Sequence, residues 1–66
     1  MTLIVDGISH RVRLLGPDYL FLEKAGNHPP AEGELILEID GDAERSRVFL
    51  PKGLPVGERE IPMRRV

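Results

Sequence analysis

Seven arginines against two lysines give this chain its most chemically suggestive feature. A guanidinium holds a carboxylate or phosphate through two parallel hydrogen bonds, a geometry an ammonium cannot offer. Arg11 and Arg13 stand two residues apart, and so do Arg45 and Arg47; on a strand each couple shares one face. Arg59, Arg64 and Arg65 close the sequence. Acids interleave with the arginines of the central segment, which points to surface ion pairing there. Arg64 and Arg65 lack obvious acid partners. The candidate anion- or partner-binding residues are therefore Arg11, Arg13, His28, Arg64 and Arg65.

Other chemistries find less support. His28 precedes two prolines in a polar loop, and His10 falls on the apolar face of a predicted strand. There is no His-x-x-x-His pair and no cysteine, so neither a metal site nor a cofactor is expected. Ser9 and Ser46 are outside any Gly-x-Ser-x-Gly elbow. The carboxylates Glu34, Glu38, Asp40 and Asp42 lie on a strand segment where Arg45 and Arg47 can neutralise them. No catalytic constellation emerges, and a non-enzymatic role is expected.

The elements that must position these residues are short strands. Leu35, Leu37 and Ile39 alternate with polar neighbours, and Ser46, Val48 and Leu50 do so on the return. That is a hairpin with one dry face. A four-residue loop, Gly41 to Glu44, sets Leu35 against Leu50, Leu37 against Val48 and Ile36 against Phe49. It also sets Glu38 against Arg47 and Asp40 against Arg45. Complementary cross-strand pairs contribute roughly 0.2–1 kcal/mol each. A two-residue loop at Gly41-Asp42 matches fewer pairs, so the longer loop is expected.

A second hairpin lies at the start. Thr2 to Val5 and Ile8 to Leu15 flank Asp6-Gly7, a strong two-residue turn signal. This predicts one apolar face made of Leu3, Val5, Ile8, His10, Val12 and Leu14. After the Gly16-Pro17-Asp18 turn, Tyr19 to Glu23 reads as a third strand, covered on both sides. Lys24 to Gly33 is irregular, with Asn27, His28, Pro29, Pro30 and Gly33. Pro51 to Glu58 is a second Pro- and Gly-rich connection. Its Leu54 and Val56 are expected to cap an open end of the sheet while remaining exposed with Met63. Arg59 to Val66 is a last strand, confined to an edge because Pro62 cannot donate to a ladder.

No ten-residue window shows helical periodicity, and 13 Gly plus Pro in 66 residues favour turns. The predicted fold is a single all-β domain over residues 1–66. It is a small antiparallel sheet or partly open barrel of five to six strands, built on two main hairpins with little or no helix. A net charge of −2, with no acidic or basic half, argues against non-specific nucleic-acid binding. No run approaches the roughly 20 apolar residues of a membrane-spanning helix, and no signal sequence is visible, so a cytoplasmic protein is expected. A core this small makes association attractive. The expected role is a binding module acting through a protein partner or self-association, with anion or nucleotide binding through the arginines as the alternative.

The order Gly16-Pro17-Asp18, His28-Pro29-Pro30, Ile39-Asp40-Gly41 and Leu50-Pro51-x-Gly53 resembles that of small β-rich bacterial proteins of similar length. That resemblance implies a bacterial source and no activity. The stretch from Asp18 through Pro30-x-x-Gly33 and the alternating hairpin to Phe49 is also similar to PilZ-type barrels, which bind cyclic di-GMP. The Arg-x-x-x-Arg motif of that family is absent here. Asp18 to Glu23 stands where its Asp-x-Ser-x-x-Gly motif would fall. The likeness implies the barrel and carries no nucleotide site with it.

Overall fold

Two Asp-Gly turns organise the chain. The computed structural model describes residues 1–66 and contains seven strands and no helix. β1 (Thr2–Val5) and β2 (Ile8–Leu15) form the first hairpin, closed by Asp6 and Gly7 at φ 51° and 77°. Positive φ at both turn residues defines the type I′ geometry whose twist matches the flanking strands. β3 is Tyr19–Leu22. β4 (Ala31–Ile39) and β5 (Asp42–Leu50) form the long second hairpin. The chain ends in β6 (Glu60–Pro62) and β7 (Arg64–Arg65).

The second hairpin corrects the expected register. Its turn is two residues long, Asp40-Gly41, with φ of 50° and 85°. Ile39 therefore faces Asp42, Leu37 faces Glu44, Leu35 faces Ser46 and Glu34 faces Arg47. The four-residue loop does not form, and neither does the Gly41-Asp42 turn. The physical reason is backbone preference. Asp and Gly in sequence meet both positive-φ requirements, and that outweighs surface charge pairs worth fractions of a kcal/mol. Consequently Glu38–Arg47 and Asp40–Arg45 are not paired. Arg45 reaches diagonally to Glu34 instead, with Nη1 to Oε1 at 2.7 Å.

All neighbouring strands are antiparallel, in the order β6-β3-β2-β1-β4-β5-β7. β6 and β7 occupy opposite ends of that order, yet only Met63 separates them. The last segment is thus shared by both edges, and the sheet curls into a partly open barrel. Pro62 does lie in an edge strand, as a missing N–H requires. The expected single terminal strand is divided in two, because one segment must serve two neighbours.

The barrel interior is one cluster of 11 buried side chains, among them Leu3, Leu20, Leu35, Leu50, Leu54, Ile61 and Met63. Burying each large aliphatic side chain contributes about 1.5–3 kcal/mol. Leu54 and Met63 are therefore core residues, contrary to the expected exposure, while Val56 does stand in solvent. Met63 points inward because it continues the alternation of Ile61, and its N–H donates to Asp18 O at 2.9 Å where the terminal segment crosses the barrel. Leu54 caps one end by pairing with His28. The two loops exchange backbone bonds, His28 N to Leu54 O at 3.0 Å and Leu54 N to His28 O at 2.8 Å.

One irregularity reshapes the outer face. Val12 pairs with Leu22, but Leu14 pairs with Phe21, so Arg13 and Leu14 together oppose one residue. Such a bulge re-aims the side chains beyond it. Leu14 turns outward and is 51% exposed, and Leu15 packs against the core in its place. On β3, Leu20 and Leu22 are buried, while Tyr19 and Phe21 cover the other side with rings edge to face at 5.9 Å.

Candidate binding surfaces

The second hairpin is longer than the barrel needs. Its inward contribution ends at Leu35 and Val48, and from Glu38 through Arg45 every residue is exposed, Ile39 by 60%. The arm contributes to a molecule measuring 33 × 23 × 23 Å. Its outer strand, β5, is partnered by β7 only at Val48 and Phe49. From Asp42 to Ser46 its outer edge carries no strand.

The register decides which backbone groups that edge offers. The turn closes on Ile39 and Asp42, and ladder bonds alternate from there. Asp42, Glu44 and Ser46 address β4, while Ala43, Arg45 and Arg47 address the open side. Val66 N–H donates to Arg47 O at 3.2 Å, in agreement with that alternation. The N–H and C=O of Ala43 and Arg45 are left pointing outward with no strand to receive them.

The arginines named from the sequence do not converge. Arg11 lies 3.7 Å from Glu23, Nε to Oε2, beside a shallow polar cleft of about 400 Å³ that Ser9, His10 and Lys24 also line. Arg64 pairs with Phe49 and Arg65 with Val48, on the far end of the sheet order from β3 and β6. Both remain without a carboxylate within salt-bridge distance. Arg13 stands at the bulge with Arg59, Leu14, Phe21 and Leu22 around a groove of about 320 Å³. Arg59 was not among the sequence candidates. Its place is fixed by Leu22 N–H, which donates to Arg59 O at 2.9 Å.

His28 serves the architecture. Its Nδ1–H donates to Pro29 O at 2.7 Å, and its Nε2 lies 3.8 Å from Asp6 Oδ2. With its backbone bonded to Leu54, it ties the 23–30 loop to the first turn and to the barrel cap. A third cleft, of about 570 Å³, is lined by Asp18, Glu58 and Glu60 together with Lys52. No group of three His, Asp or Glu side chains is placed to hold a metal ion. No helix is long and apolar enough to cross a membrane.

The chain matches no protein-family model, no curated protein and no solved structure.

Proposed function

We propose that this protein is a non-catalytic binding module that takes up an extended segment of a protein partner along the free edge of β5. The observation that carries this reading is the unpaired edge from Asp42 to Ser46 on an exposed arm. Adding a strand to such an edge is a general route to peptide recognition, because main-chain bonds supply affinity and flanking side chains supply selectivity.

A partner of different sequence is favoured over a second copy. A two-fold axis that pairs two antiparallel edges keeps like faces together, so odd residues meet odd and even meet even. With Ala43 opposite Ala43, Asp42 meets Glu44. One step along, Glu44 meets Glu44. The next step sets Arg45 against Arg45. Like charges directly opposite are destabilising. The edge thus resists self-pairing, which is how exposed edges avoid uncontrolled assembly. A complementary segment carries basic residues opposite Asp42 and Glu44 and an acidic residue opposite Arg45. The cysteine-free sequence suits a reducing compartment such as the cytoplasm.

The test is affinity capture from the native host with the wild type and Ala43→Pro side by side. Proline at this position removes an N–H that bonds nothing in the fold, and proline is tolerated on edge strands, so the hairpin is expected to fold. A partner held by the wild type and lost by the variant, with unchanged thermal stability, is the expected result. Equal capture by both proteins would refute edge pairing.

A further inference from the structure

The bulge in β2 assembles a second surface, independent of the arm. Without it, Leu14 would point into the barrel, as strict alternation demands. With it, Leu14 lies outside beside Phe21, which faces it in the ladder, and Arg13 stands at the distortion itself. Tyr19 holds the Phe21 ring edge to face at 5.9 Å, which fixes one wall of the groove. Arg59 stands on the opposite side, its carbonyl held by Leu22 N–H at 2.9 Å.

Neither cation of this groove is ion-paired. Arg11 has Glu23 and Arg45 has Glu34, but neither Arg13 nor Arg59 has a carboxylate within 4.0 Å. Glu60 is opposite Phe21 in the ladder, yet it lines the neighbouring cleft with Asp18 and Glu58. Two free guanidinium groups therefore flank an exposed apolar floor. Arginine presents a planar fork matched to carboxylate and phosphate oxygens, and it also stacks on aromatic faces.

We infer that this groove binds a small amphipathic anion, with the carboxylate or phosphate held between Arg13 and Arg59 and the apolar body laid on Leu14 and Phe21. The volume of about 320 Å³ sits at the lower limit of small-molecule sites, enough for one ring-sized group. A free metabolite or the terminal carboxylate of a peptide ending in a large apolar residue presents the same chemistry.

The inference is tested by amide chemical-shift mapping with N-acetyl-phenylalanine, N-acetyl-phenylalanine amide and phenyl phosphate. A ligand of this size on an open groove is expected to bind with a Kd of about 1 mM. Saturable shifts at Arg13, Leu14, Phe21, Leu22 and Arg59 are expected with at least one of the two anions and not with the neutral amide. Arg13→Gln and Arg59→Gln should each weaken that binding about fivefold or more, since a charge-assisted contact is lost. Leu14→Ser should weaken it without altering the charge. Preference for N-acetyl-phenylalanine supports a carboxylate source and preference for phenyl phosphate a phosphorylated one. Equal shifts with the neutral amide, or shifts in the arginine variants equal to wild type, would overturn the inference. So would no saturable shift at these amides with either anion up to 20 times the expected Kd.

Discussion

Gly53 is where the barrel cap is most sensitive. Its φ is +61°, in the left-handed region, and a β-carbon there would press into His28 O and the Pro29 carbonyl. Gly57 has a similar φ of +78° but open space around the same atom. Gly57→Ala therefore measures the conformational cost alone, about 1–2 kcal/mol. Gly53→Ala adds the displacement of the His28–Leu54 bridge. Its two backbone bonds contribute about 1 kcal/mol each, and partial exposure of Leu54 adds about 1 kcal/mol. The expected total is about 4 kcal/mol, against about 3–10 kcal/mol for a 66-residue domain. Thermal unfolding read by circular dichroism should fall by about 5–10 °C for Gly57→Ala. For Gly53→Ala it should fall by about 20 °C or fail to show a folded baseline. Equal effects of the two substitutions would show that the loop bridge does not hold the cap.

Leu15→Ala should destabilise by about 1–2 kcal/mol more than Leu14→Ala in urea titrations, because the bulge sends Leu15 to the core and Leu14 to solvent. Leu54→Ala should cost about 2–5 kcal/mol in the same assay, since it empties a fully enclosed site. A double-mutant cycle on Glu34 and Arg45 should give a coupling of at most about 1 kcal/mol that fades at 1 M salt, both side chains being largely exposed.

The turn and register of the first hairpin are legible, because Asp6-Gly7 names them, but its apolar face is not: Leu14 leaves that face at the bulge and Ile8 stands exposed. The same dipeptide at Asp40-Gly41 carried the same information. The five cross-strand matches of a four-residue loop count for less than that turn signal, because several lie on a solvent face where each is weak. Strand existence was readable from alternation, but the division of the terminal segment was not, because it arises from closure of the barrel around Met63. Burial of Leu54 and Met63 has the same origin. Arg13 was visible as a candidate, and Arg59 as its neighbour was not. The available signal was the adjacent Leu14-Leu15 pair, which breaks alternation and marks the bulge. The free edge of β5 depends on register and on how far β7 extends, so it became visible only in three dimensions.

The claim that a partner strand adds to β5 is tested most directly by residue-resolved amide exchange. In the free protein, Glu44 and Ser46 N–H face β4 and should exchange slowly, while Ala43 and Arg45 N–H face outward and should exchange rapidly. With a captured partner bound, Ala43 and Arg45 should exchange slowly as well, turning an alternating pattern into continuous protection. A bound partner that leaves Ala43 and Arg45 exchanging rapidly, with new protection elsewhere, would contradict it.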